Sequence, residues 1–226
     1  MQPPGSGHVR YIDSAFWKEK YCAHHQSDAT AVSCTSCLRL RLKDSDDVVA
    51  LPDGRYSCLQ CFSQAPQRTD DAQALYANVL HWYRSIKMPH RETPPFTLVE
   101  DSALNGHRAS SGSLAGGPIT HTRGICLAEQ YDTFRMGWHT GRRVDVTAIL
   151  VLSGLPALLT GAVLAHELMH AWLRMEGFRD LPPAVEEGLC QLMAYLWLEA
   201  QTPEVRDPPL RCSAGGAAAR GAAALL

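Results

Sequence analysis

Between Thr69 and Lys87, apolar residues recur every three or four positions, at Ala72, Leu75, Tyr76, Val79, Leu80, Tyr83 and Ile86, which predicts an amphipathic helix. Thr69 is placed to cap it, with Asp70 and Asp71 in the first turn, and its aromatic residues read as core rather than as ligand-binding groups. Pro94-Pro95 ends that segment, and Phe96-Thr97-Leu98-Val99 reads as a short strand. The Gly- and Ser-rich run from Gly106 to Pro118 predicts a mobile loop, and Ile125-Cys126-Leu127 another strand. Val144 to Leu152 is rich in β-branched residues, as a buried strand is. Ser153-Gly154-Leu155-Pro156 turns the chain into an apolar helix running past Trp172. Pro182-Pro183 suits the start of a second helix, with Val185, Leu189, Leu192 and Leu196 as its packed stripe. The first sixty-odd residues lack such periodicity. After Gln201 it fails again, and the Ala/Gly-rich stretch around Ser213–Gly221 predicts no fold.

Residues 166–170 read His-Glu-Leu-Met-His in the middle of the apolar helix. His166 and His170, four apart, project from one helix face about a turn from each other, so their rings can share one zinc ion. Glu167 stands beside the metal, where a carboxylate can take a proton from water. The pentapeptide is short enough to arise by chance, and the plain alternative is a pair of satisfied core histidines. The surroundings favour a metal: two histidines and a glutamate are costly to bury without a partner. A catalytic zinc wants a third protein ligand. Glu186 and Glu187 are the next candidates, and both would also complement a helix dipole in a first turn. They lie about 100° apart on a helix, so periodicity does not choose between them.

Five of the eight cysteines fall in the first sixty-odd residues. Cys34-Thr35-Ser36-Cys37 and Cys58-Leu59-Gln60-Cys61 form two C-x-x-C knuckles around a turn at Pro52-Asp53-Gly54. Their spacing matches a structural four-cysteine zinc site, closed by thiolates and built as scaffold. Redox chemistry is disfavoured, since no βαβ pattern accompanies the knuckles. Cys22-Ala23-His24-His25 offers half of a second structural site through Cys22 and His25, with His8 and Asp28 as further donors. Cys126 and Cys190 read as packed thiols.

A net charge of −2 gives no electrostatic case for nucleic acid or an anionic membrane surface. The opening residues carry no apolar core of a signal peptide, and paired C-x-x-C knuckles suit a reducing compartment, so cytoplasm or nucleus is expected. Val146 to Ala165 runs twenty residues without a charge, but the Ser-Gly-Leu-Pro turn at its centre argues against a membrane span.

Several motifs of independent kinds together resemble one family. They are Phe16-Trp17-Lys18-Glu19-Lys20-Tyr21-Cys22, the two knuckles, Ala103-Leu104-Asn105 and Thr122-Arg123-Gly124-Ile125-Cys126-Leu127. Val146–Leu150, Gly154-Leu155-Pro156, Leu158–Gly161, Ala165–Trp172 and Val185-Glu186-Glu187-Gly188 follow in the same order. Over residues 11–200 the chain resembles the plant DA1 and DA1-related peptidases, LIM-domain proteins that limit organ growth. The resemblance implies a ubiquitin-regulated zinc peptidase acting on growth-promoting proteins and on ubiquitin-pathway partners such as ubiquitin ligases. His166 and His170 match its metal-binding histidines and Glu167 its catalytic glutamate. The Glu187-Gly188 step is similar to the ligand-bearing Asn-Glu-Gly of gluzincin aminopeptidases. It implies Glu187 as third ligand, with Glu186 behind it or facing substrate. Relative to that family the chain is expected to be truncated at both ends, with no ubiquitin-interacting helices and no complete first LIM unit.

The expected fold is therefore α+β: a partial LIM-like zinc module over residues 1–66, a zincin-like, gluzincin-type domain over 67–205, and an Ala/Gly-rich tail over 206–226. The expected cofactors are one catalytic zinc and at least one structural zinc, and the expected activity is cleavage of protein substrates. The alternative is a catalytically weak adaptor that binds proteins through its LIM-like segment.

Overall fold

The computed structural model describes residues 11–14, 16–22, 24, 28–110, 122–136, 138–178 and 180–202. His25 of the half-site, the Ala/Gly-rich tail from residue 206, and residues 111–118 of the expected loop lie outside them. The chain divides into two units, Met1–Gln64 and Ala65–Leu226.

The first unit is three short antiparallel pairs. Strand β1 (Tyr11–Asp13) pairs with β2 (Lys20–Cys22), β3 (Ala31–Ser33) with β4 (Leu40–Leu42), and β5 (Val48–Ala50) with β6 (Tyr56–Cys58); helix α1 (Leu59–Ser63) follows. Gly54 takes φ +84 in the turn before β6, a left-handed conformation that glycine adopts at little cost. So few residues cannot enclose an apolar core of ordinary size. The buried cluster here is Cys34, Cys37, Cys58 and Cys61, with Trp17 packed on it.

The second unit is mixed α/β. A 3-10 turn (Asp70–Ala72) leads into helix α2 (Gln73–Ser85), then strand β7 (Phe96–Val99) and helix α3 (Asp101–Ser110). Two long strands follow, β8 (Gly124–Arg135) and β9 (Trp138–Leu152), and then helices α4 (Ala157–Glu176) and α5 (Pro183–Ala200). The sheet order is β7-β9-β8, with β7 parallel and β8 antiparallel to β9. Ile149, Val151 and Leu155 are fully buried, as are Leu164 and Leu168 of α4. Complete burial of one such side chain contributes about 1.5–3 kcal/mol, so this layer anchors the unit.

Helix α4 ends where Gly177 adopts φ +87. The Gly177 N–H donates to Arg174 O (3.2 Å) and the Phe178 N–H to Leu173 O (2.9 Å), the paired bonds of a Schellman cap. Phe178 stacks on Trp172 at 5.9 Å, the apolar contact that accompanies such a cap. Two side chains grip α4 from elsewhere in the unit: Tyr83 Oη donates to Ala165 O (2.6 Å), and His90 Nε2 to Leu168 O (2.8 Å).

Three expectations need correction. The Thr69 hydroxyl does not cap the helix; it accepts from the Leu98 N–H instead (3.0 Å), tying the helix entry to β7. Gly106 to Ser110, expected in a loop, complete α3. The packed face of α5 is not the one expected: Val185, Leu192 and Leu196 are exposed, while Cys190, Met193, Ala194, Trp197 and Leu198 are buried. Helix α5 is apolar nearly all round, so its sequence offers more than one stripe. No helix among the described residues is long and apolar enough to cross a membrane.

Candidate metal centre

Two groups of donor side chains among the described residues stand close enough to hold an ion. The first is Cys34, Cys37, Cys58 and Cys61. Cys34 follows β3, Cys37 lies in the turn before β4, Cys58 ends β6 and Cys61 sits on α1. Cys37 Sγ lies 3.7 Å from Cys58 Sγ. Thiolates about 2.3 Å from a tetrahedral zinc stand about 3.8 Å from one another, so four buried thiols at this spacing suit that ion. Sulfur hydrogen bonds from Cys37 and Cys61 hold Cys34 well below the ordinary thiol range, and the same bonds push its two partners up. Trp17 Nε1 donates to Cys37 O (2.6 Å), and the Arg39 guanidinium lies over the Trp17 ring at 3.7 Å, covering the knuckle. Cys22 lies in β2, opposite Tyr11, and belongs to neither donor group.

The second is His166 and His170 of α4 with Cys190 of α5. His166 and His170 stack edge to face, ring centroids 5.1 Å apart, as i and i+4 on one helix face must. The carboxylate oxygens of Glu187 straddle them, one 3.5 Å from His166 Nε2 and the other 3.5 Å from His170 Nε2. Donors about 2.0–2.2 Å from a tetrahedral zinc stand about 3.4 Å apart, close to the separation that Glu187 keeps from each imidazole through a different oxygen. Glu187 is 64% exposed, which leaves this side of the cluster open to solvent. Glu186 faces the other edge of His170: its Oε1 lies 2.7 Å from Nδ1 and 3.7 Å from the Arg174 guanidinium. A carboxylate accepts there, so the His170 proton sits on Nδ1 and the Nε2 lone pair is free for a metal.

Glu167 is buried on α4, and strand β8 passes over it. The Cys126 backbone N–H donates to its carboxylate. Burial first and Glu187 second push its pKa up to about 8, against the pull of Arg174 and that N–H. A side chain at Gly124 would meet Glu167 Oε1 at 2.6 Å, so glycine is what lets β8 come this close. Burial, followed by the charge of His170, lowers His166 to about 4, and a hydrogen bond with Gln191 opposes this. Burial thus favours the neutral form of His166, the state in which an imidazole ligates a metal.

Sequence reading missed three residues here. Cys190, expected as a packed thiol, is buried, but it also has its sulfur within 4.8 Å of the histidine nitrogens. Gln191 reaches His166, and Arg174 reaches both Glu186 and the Cys126 thiol. Their signal is spacing: Cys190 and Gln191 lie three and four residues after Glu187, and Arg174 four after His170, each one helical turn along the same face.

A family model described as DA1-like, Protein DA1, matches residues 132–223. Among curated proteins, the chain is 41% identical to Protein DA1 of Arabidopsis thaliana over 214 residues, covering 87% of this chain and 40% of that protein. It is 40% identical to Protein DA1-related 1 of the same plant over 216 residues, covering 87% of this chain and 38% of the relative. It is 39% identical to LIM domain-containing protein HDR3 of Oryza sativa subsp. japonica over 214 residues, covering 87% and 42% respectively. The chain spans about two fifths of the length of these relatives. No solved structure matches. With about 40% identity to several of its members across most of its length, the chain belongs to the DA1 family.

Proposed function

We propose that this chain carries the centre of a zinc-dependent peptidase of the gluzincin kind, in a domain over residues 67–205 that follows in sequence a LIM-like structural zinc module over residues 1–66. The observation that carries the reading is the Glu187 carboxylate, placed 3.5 Å from both His166 Nε2 and His170 Nε2 by a different helix. Those three side chains are the ligand set, and the four cysteines close the structural site. When bound, zinc supplies Lewis-acid polarisation of a carbonyl and makes water nucleophilic near neutral pH.

The rest of the chemistry belongs to the protein. Glu167 takes the proton from the attacking water and returns it to the leaving amine, work for which a buried carboxylate with a raised pKa is suited. Glu186 fixes the His170 imidazole so that it presents Nε2 to the ion, and Gln191 hydrogen-bonds His166. The Cys126 N–H orients Glu167 from the edge strand β8.

Substrates are intracellular proteins, in cytoplasm or nucleus, that promote growth or belong to the ubiquitin pathway, with ubiquitin and ubiquitin ligases among the partners. Membership of the DA1 family supports this part. The test is cleavage of proteins in ubiquitylated cell extract by the wild-type chain and by Glu167→Gln, which keeps the metal ligands and loses the base. New fragments with the wild type alone are expected. Equal fragmentation by both would rule out Glu167 as the base.

A further inference from the structure

Helix α5 brings a fourth donor to the histidine pair. Cys190 lies one turn beyond Glu187, so both side chains leave the helix toward α4. Its thiol is fully buried, and His166, His170 and Cys190 have donor atoms all within 4.8 Å of one another. Nitrogen and sulfur ligands of one tetrahedral zinc stand about 3.6 Å apart, so the sulfur needs to close in by at most about 1.2 Å. A thiolate is also the softest donor in the cluster and the one zinc favours beside imidazole.

We propose, resting on the zinc-centre reading above, that Cys190 Sγ is a fourth protein ligand, which saturates the ion between turnovers. The thiol gives its proton to solvent as the sulfur–metal bond forms and takes one back when that bond breaks. Four protein donors fill a tetrahedron, and a hydrolytic zinc needs one position open. Cys190 therefore holds the metal firmly and restrains its use: water gains a place when the sulfur lets go. The chain works as a slow peptidase whose rate is set partly by this exchange.

Sulfur counting on the zinc-loaded wild-type chain tests this without a variant. X-ray absorption averages over both ions, so four cysteines plus Cys190 give about 2.5 sulfurs per zinc, against about 2 if Cys190 stays out. In the cobalt-loaded chain, Cys190→Ser should lose part of the near-ultraviolet sulfur-to-cobalt band while keeping two cobalt ions, and should cleave faster than wild type. Two ions with an average of about 2 sulfurs per zinc, or an unchanged band in Cys190→Ser, overturns the fourth ligand and leaves the zinc centre standing. Uptake of a single ion by the wild type, into the cysteine site, overturns the zinc-centre reading and this proposal with it.

Discussion

At the scale of single residues, the two neighbouring glutamates of α5 divide the labour by direction. Glu187 turns toward both Nε2 atoms, whereas Glu186 meets His170 at Nδ1. Loss of a group that only orients a ligand weakens metal affinity by about 10–100-fold, and loss of a ligand weakens it further. Glu187→Ala should therefore bind zinc at the histidine site more weakly than Glu186→Ala does, and keep the four-cysteine zinc. Glu186→Ala should retain both at saturating metal, with weaker affinity at the histidine site. Metal analysis of the purified variants decides this, and the reverse pattern would exchange the two roles. Much of this centre is legible in the chain. The i, i+4 spacing puts His166 and His170 on one face whatever the tertiary structure does. The choice between Glu186 and Glu187 is not legible from periodicity, because it depends on how α5 is rotated against α4. Gln191 and Cys190 are hidden for the same reason, since each is an ordinary residue until that rotation is known.

At the scale of elements, the contact between α4 and α5 sets the geometry, and a glycine sets the contact. The Trp197 ring of α5 lies against Gly161 of α4, so closely that a methyl group there would stand 2.2 Å from the ring. Trp197 is fully buried and has no space to retreat. Gly161→Ala should destabilise the second unit by about 1–3 kcal/mol, the usual cost of overpacking, although alanine is the better helix former. Denaturant unfolding followed by tryptophan fluorescence measures this, and an unchanged or raised midpoint would contradict the packing. Helices α2, α4 and α5 and the cores of β7, β8 and β9 were legible because their periodicity is strong. The packed face of α5 was misread: its leucines at 192 and 196 form as good a stripe as its buried residues do. The Thr69 cap failed because β7 offers that hydroxyl a competing donor, a tertiary contact that local propensity cannot register.

At the scale of the whole molecule, metal bound at the two centres would act on the two units in different ways. Among its described residues the first unit buries chiefly its four cysteines, so a zinc held there would contribute folding energy directly. Replacing Cys34 and Cys37 together by Ser should remove one zinc and unfold the unit ending at Gln64. The second unit, with an extended apolar core, should keep its amide protection. Hydrogen exchange read by mass spectrometry separates the two, and retained protection throughout the first unit would contradict the scaffold role. We propose above that the His166–His170–Glu187 centre performs peptide hydrolysis through a metal. Its most direct test is cleavage by one wild-type sample measured after chelator has stripped the metal and again after zinc is restored. The account predicts that cleavage disappears with the metal and returns with zinc. Cleavage by the stripped chain at the same rate as the zinc-loaded chain would contradict it.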